Sequence, residues 1–249
     1  MRTSQPEDAA AFEQWSTTLS ESMRVYRVTP KAETPVNAYA YPALTPRGTG
    51  VHEVQSLPEA DKALDQIRQS LIAQYGGEYD YEEFSARIAV PEGMTGYLND
   101  ENAQGDNRDT SYLMTNDFTL NSDEDFVVVY GVNHVAAGKA TYANTVLYAR
   151  PRLNGIVSLY DSMYGDSASE YLPDVDSSKY YVLKMARTAL DSHTAVIPYS
   201  TDNPNGRFYG ADNGTQLLIA YRAYVEPETG VGPSYYEIVY DRAIVFHKK

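Results

Sequence analysis

Two short polar segments of this chain carry the residue types that acid–base chemistry needs. One is Gly131-Val-Asn-His134, which closes a continuously apolar run; His134 is the only one of the four histidines with such a placement. An imidazole titrates near neutral pH, so it could serve there as a general base. The competing interpretation is a structural histidine held by hydrogen bonds, because buried polar groups are normally paired.

The second polar segment is Asp106-Asn-Arg-Asp109, which follows a glycine and precedes a predicted strand. Arg108 could clamp a carboxylate or the hydroxyls of a substrate, and Asp109 could act as a base. The alternative is an ordinary loop in which Arg108 satisfies Asp106 and Asp109.

We predict that the two segments form one pocket. Their strands are next but one in sequence, and sequential strands usually lie close in a sheet. The predicted catalytic residues are His134, Arg108 and Asp109. The predicted ligand-binding residues are Asn107, Asn133, Lys139 and Tyr142. The alternative is a buried polar knot that only stabilises the sheet.

The sequence patterns for metal binding and for paired-carboxylate catalysis are weaker. The chain has no cysteine, which excludes thiolate metal sites, and its four histidines are scattered. The segment 201–212 has the oxygen spacing of a calcium loop, but it begins with Thr201 and contains Pro204. We therefore predict no cofactor, with calcium left open. Four carboxylates near strand ends stay as candidates for paired-carboxylate chemistry: Asp161, Glu170, Glu226 and Glu237.

The elements that must position these residues change in type along the chain. Residues 6–24 show helical spacing of apolar residues, and a second helix is predicted from an N-cap at Ser56 to the glycines at 76 and 77. Beyond them the pattern becomes that of strands. The predicted strands are Ser85–Val90, Ser111–Thr115, Phe126–Val132, Thr141–Tyr148, Ile156–Tyr160, Tyr180–Ala186, Ala195–Tyr199, Gln216–Val225 and Ala243–His247.

These elements predict an α+β fold: an antiparallel β-sandwich of about eight or nine strands with two N-terminal helices. Residues 1–80 are expected to form a helical and irregular arm that packs on the body, and residues 81–249 a β-rich domain, together one structural unit. Phe126–Val132 is continuously apolar, so we expect it in the middle of a sheet.

Tyrosine is the dominant aromatic residue, with 23 Tyr against 6 Phe and 1 Trp. Its ring is apolar on its body and polar at its tip, which suits a half-buried strand surface and also a surface that meets sugars, peptides or another copy of the chain. Three function classes therefore stay open: an enzyme acting on a small polar or carbohydrate-like substrate, a Tyr-lined module that binds carbohydrate or peptide, and a self-assembling structural subunit. The oligomeric state is open as well.

The net charge of −14 argues against nucleic acid as a partner, because it repels phosphate. Residues 97–126 hold eight acidic residues and one basic residue, a pattern typical of a solvated loop region, with a cation-attracting rim as the alternative. No apolar run is long enough for a membrane span. The residues after Gly93 are typical of an extracellular or periplasmic protein whose signal is missing from this sequence, with a cytoplasmic location as the alternative.

Overall fold

The structure, a computed structural model, describes residues 9–29, 31, 45–89, 92, 98–99, 107–200 and 210–249. By its internal contacts the chain divides into two units, Met1–Leu44 and Thr45–Lys249. The first unit contains helix α1 (Ala9–Ser22), within the helix predicted over residues 6–24. The remaining elements belong to the second unit.

Two helices precede the sheets of this unit: α2 (Glu53–Ser56) and α3 (Ala60–Tyr75). The predicted N-cap at Ser56 is wrong, because Ser56 ends the separate short helix α2 and Glu59 stands at the cap of α3. The buried face of α3 is apolar, and its residues recur at helical spacing: Ala60, Ala63, Leu64, Ile67 and Leu71.

Eleven strands follow among the described residues. Their bounds are β1 (Tyr79–Ser85), β2 (Arg87–Ile88), β3 (Thr110–Met114), β4 (Phe118–Thr119), β5 (Phe126–Val132), β6 (Tyr142–Ala149), β7 (Asn154–Tyr160), β8 (Tyr180–Ala186), β9 (Thr194–Val196), β10 (Gln216–Tyr224) and β11 (Arg242–Lys248). The first sheet has the order β1-β11-β5-β8-β9 and the second the order β2-β3-β10-β6-β7, with β4 also pairing with β10. The predicted α+β sandwich-like class is confirmed, with β1 and β4 in addition to the nine predicted strands.

The first sheet is covered on both faces. On one face, Val127 and Val129 of β5 belong to a core cluster that also contains residues of the second sheet, such as Ile219. On the other face, Phe126 and Val128 belong to a cluster with the apolar residues of α3. All seven residues of β5 are buried, and β5 lies between β11 and β8, so its predicted central position is confirmed.

The predicted proximity of β3 and β5 within one sheet is wrong. β3 belongs to the second sheet and β5 to the first, because the chain between them passes from one layer to the other. The turn after β5 also changes layer, since β6 is in the second sheet, so residues 135–139 belong to a crossover between the two sheets. Gly138 in this turn has a positive φ of 81°. In the described part of the chain, no helix is long and apolar enough to cross a membrane.

Candidate functional site

His134 lies at the end of β5, buried between two carboxylates. Its Nδ1 is 2.8 Å from Glu53 Oε1, and its Nε2 is 3.6 Å from Asp241 Oδ2. Only 4% of the residue is exposed. Strand β5 and the residue before β11 thus bring together groups that are far apart in sequence.

Both carboxylates have further partners that fix their positions. The backbone N–H of Val239 donates to Glu53 Oε2 at 2.7 Å, and the hydroxyl of Tyr181 donates to Asp241 Oδ1 at 2.6 Å. Gly131 allows this approach, because a Cβ at that position would lie 2.5 Å from Asp241 Oδ1. The cluster is therefore closely packed as well as paired.

The charge state of His134 follows from this arrangement. Burial lowers the pKa of His134, but the attraction of Glu53 and the contacts with Asp241 outweigh it and hold this pKa well above its ordinary value. The ring is then an imidazolium near neutral pH, with both nitrogens carrying protons. A general base needs a free nitrogen lone pair, so this geometry favours the structural interpretation of His134.

Lys139 forms a second buried ionic cluster in the same turn. Its Nζ is 2.7 Å from Glu226 Oε1 and 2.7 Å from Glu237 Oε2. Burial lowers the pKa of Lys139, yet the two carboxylates raise it above its ordinary value. Glu237 also accepts from the backbone N–H groups of Thr49 and Gly50. Glu237 lies in a turn, which leaves its carboxylate to bind the segment at 49–50.

The two ionic clusters fasten the segment at residues 49–53 to the connection between β10 and β11. The backbone N–H of Glu53 donates to the carbonyl of Glu237 at 2.7 Å, and Lys139 N–H donates to His134 O at 2.8 Å. Buried charges that are paired with one another hold elements in register. We call these two clusters, defined by His134, Glu53, Asp241, Lys139, Glu226 and Glu237, the ionic core.

The residues predicted around His134 take different positions. Asn133 caps its own turn, since its Oδ1 accepts from Ala136 N–H at 3.2 Å. Arg108 donates to Glu92 at 2.6 Å and to the carbonyl of Thr45 at 2.9 Å, and Asp109 is exposed. No hydrogen bond recorded among the described residues joins His134 to Arg108 or Asp109. Of the predicted pocket, His134 and Lys139 share one turn, while Arg108 has partners of its own.

Asn107 and Tyr142 lie on a different surface, the outer face of the second sheet. Tyr112 on β3 is opposite Arg222 on β10, which is opposite Asn144 on β6 and, beyond it, Tyr160 on β7. Opposite residues of antiparallel strands point to the same side, so these side chains form a row. Tyr142 and Tyr224 form the next pair, with ring centroids 5.3 Å apart.

Arg222 is the centre of this surface. Its guanidinium carbon lies 5.6 Å from the ring centroid of Tyr112 and 5.5 Å from that of Tyr148. It donates to the Tyr148 hydroxyl at 2.7 Å and to Asn144 Oδ1 at 3.4 Å. The side-chain hydrogen bonds of Arg222 thus go to an amide and a tyrosine.

The tyrosines around Arg222 are held in place but still reach solvent. Asn107 donates to the hydroxyl of Tyr112 at 3.0 Å, and Asn144 donates to that of Tyr142 at 3.3 Å. Tyr142 is 38% exposed and Tyr160 is 37% exposed. We call this surface the tyrosine face; its members are Asn107, Tyr112, Tyr142, Asn144, Tyr148, Tyr160, Arg222 and Tyr224.

The segment 201–212, for which calcium was left open, lies largely outside the described residues, because 201–209 are not among them. Within the described ranges, no group of three or more His, Asp or Glu side chains is placed to hold a metal ion.

Comparison with known proteins gives a short partial similarity. No family model matches the chain, and no solved structure matches it. Two curated proteins named "Probable ribonuclease FAU-1", from Pyrococcus horikoshii and Pyrococcus abyssi, are each 30% identical over 90 residues. The similarity covers 34% of this chain and 19% of each relative, so the chain spans about a fifth of the length of these proteins.

The sequence contained a signal for the tyrosine face that the pocket prediction did not use. Tyr142, Asn144 and Tyr148 are separated by even numbers of residues within one predicted strand, and Arg222 and Tyr224 likewise. Even spacing places side chains on one side of a strand. Glu53 and Asp241 carry no comparable local signal, because their relation to His134 arises from tertiary structure.

Proposed function

We propose that this protein is a binding module that takes a carbohydrate on its tyrosine face. The observation that carries the proposal is the guanidinium of Arg222, placed between the rings of Tyr112 and Tyr148 on a sheet surface that solvent reaches. An aromatic ring offers an apolar surface to the C–H side of a sugar ring, and the neighbouring guanidinium, amide and phenol groups match its hydroxyls.

Preorganisation supports this choice. The hydrogen bonds from Asn107, Asn144 and Arg222 to tyrosine hydroxyls already fix the side chains that would meet the ligand. Binding then costs less conformational entropy than it would with free side chains. By contrast, the outer face of the first sheet is covered by α3 and offers no comparable surface.

An uncharged glycan suits the electrostatics better than RNA does. Bases also stack on tyrosine and arginine, and the partial similarity to proteins named as ribonucleases makes RNA the ligand to compare. However, the net charge of −14 opposes a phosphate backbone. A glycan ligand also fits the extracellular or periplasmic location predicted from the sequence.

Acid–base catalysis at His134 has less support than binding. The ring is buried, and both of its nitrogens face carboxylates. A substrate could reach it only after the ionic core had opened. We therefore propose no reaction for this site.

The test is a panel of immobilised neutral glycans and single-stranded RNA probed with the intact protein, followed by titration with the soluble form of whatever binds. We expect glycan binding that Tyr112→Ala weakens by about tenfold or more, since a central aromatic residue carries much of the energy of such a contact. Tyr236→Ala is the matched control, because Tyr236 is 83% exposed and lies outside the strands.

Three results would contradict the proposal. One is the absence of glycan binding across the panel. Another is salt-sensitive RNA binding that Tyr112→Ala abolishes, which would show that the tyrosine face binds nucleic acid. The third is concentration-dependent self-association lost in the same variant, which would make the face an assembly surface.

A further inference from the structure

A cleft of about 350 Å³ lies between α3 and the strands β1 and β11 of the first sheet. Its volume is at the lower end of the range for small-molecule sites, roughly 300–1,000 Å³. The cleft shares no residue with the tyrosine face. Its lining includes Asp65 and Arg68 of α3, Glu83 of β1, Tyr130 of β5 and Arg242 of β11.

The cleft lining contains two positively charged and two negatively charged side chains. Arg68 on α3 forms two hydrogen bonds with Glu83 on β1, one of them 2.7 Å from Nη2 to Oε1. Arg242 on β11 donates to Asp65 on α3 at 2.9 Å. Each pair thus joins the helix to a strand across the cleft, and each contributes one positive and one negative group.

Tyr130 adds a buried hydrogen-bonding group to the lining. It is 1% exposed. Burial, only partly offset by the nearby Arg242, raises the pKa of Tyr130 to about 12. Its phenol therefore keeps its proton near neutral pH and can donate a hydrogen bond.

We propose that this cleft binds a small zwitterion that carries one carboxylate and one ammonium group, such as a free amino acid or a dipeptide. The carboxylate binds the guanidinium groups of Arg68 and Arg242, and the ammonium group binds Glu83 and Asp65. A ligand with only positive or only negative charge would meet equal numbers of attractive and repulsive side chains. The ion pairs already present are partly exposed, and such pairs contribute little stability, so they exchange readily for a ligand.

The test is calorimetric titration of the intact protein with the twenty amino acids and glycylglycine, up to about 10 mM, which covers weak millimolar binding. The strongest ligand is then compared with its N-acetyl form, which lacks the ammonium group, and with its amide, which lacks the carboxylate. The variants are Arg68→Gln and Arg242→Gln. Arg87→Gln is the control, because Arg87 donates to Asn116 at the second sheet, away from the cleft.

We expect saturable binding of at least one zwitterion, weakened about tenfold or more in each of the two variants and in both blocked ligands, and unchanged in Arg87→Gln. A thermal melt within a few degrees of the parent protein shows that a variant is folded. The proposal is overturned if no zwitterion in the panel binds, if binding survives both substitutions, or if acetate or phosphate binds as well as the zwitterion does.

Discussion

The ionic core and the tyrosine face both contain residues suited to chemistry, and they differ in access. In the ionic core, His134 and Lys139 are almost fully buried, with carboxylates as their partners. On the tyrosine face, Arg222 has tyrosine and amide partners on a surface that solvent reaches. Residue type therefore selects candidates, whereas burial and the identity of the partners decide between stabilising the fold and binding a ligand.

The largest effect expected from this comparison is that of His134→Ala. The substitution leaves the carboxylates of Glu53 and Asp241 buried without their cation, which we expect to destabilise the protein by about 3–5 kcal/mol. Urea denaturation at neutral pH measures this change. His52→Ala is the control: its side chain is exposed, and we expect a change within about 0.5 kcal/mol. If the His134→Ala protein is as stable as the parent, the ionic core does not stabilise the fold.

The pH dependence of stability gives a second, smaller effect. The pKa of His134 is raised in the folded protein, so its contribution is complete below the unfolded value of about 6.5 and is lost as the pH rises through the folded value. The stability advantage of the parent over His134→Gln should therefore shrink with rising pH, by up to about 1.4 kcal/mol per pH unit. Denaturation of both proteins from about pH 6 to about pH 9 measures it. A constant difference would indicate that His134 is neutral in the fold.

The smallest expected effect is that of Arg222→Gln on stability. Its guanidinium is partly exposed, and glutamine retains a donor for Asn144 and Tyr148, so we expect the free energy of unfolding to change by less than about 0.5 kcal/mol. Glycan affinity should nevertheless fall by about tenfold, because glutamine lacks the planar, charged guanidinium that lies near the rings of Tyr112 and Tyr148. Urea denaturation and titration of the same preparation separate the two quantities. A large loss of stability would show that the tyrosine face is itself structural.

Much of the fold could be predicted because the relevant signals are local. The predicted bounds of β5 and β8 equal those of the structure, since both strands are largely apolar, with Lys184 as the charged exception in β8, and both are bounded by polar residues. Strand β1 was not predicted, because five of its seven residues are exposed at the edge of a sheet and its sequence carries no apolar alternation.

The surroundings of His134 could not be predicted, because they depend on which strands share a sheet. Strand β3, which follows the Asp106–Asp109 segment in sequence, belongs to the second sheet, whereas β5 belongs to the first. Glu53, the hydrogen-bonding partner of His134, is 81 residues away in sequence. Contacts of this kind follow from the pairing of distant strands, for which a single sequence has no local pattern.

The position of β11 in the first sheet constrains the order in which the strands of that sheet can pair during folding. This strand lies between β1 and β5, so each of these earlier strands pairs its backbone with β11 and, among the described strands, not with the other. During synthesis on the ribosome, β1 and β5 emerge long before their common neighbour, and their free edges stay open in the meantime. Closure of the sheet then requires distant segments to meet, which slows folding and exposes apolar edges to other chains. The nascent protein is therefore expected to depend on chaperones until β11 has emerged.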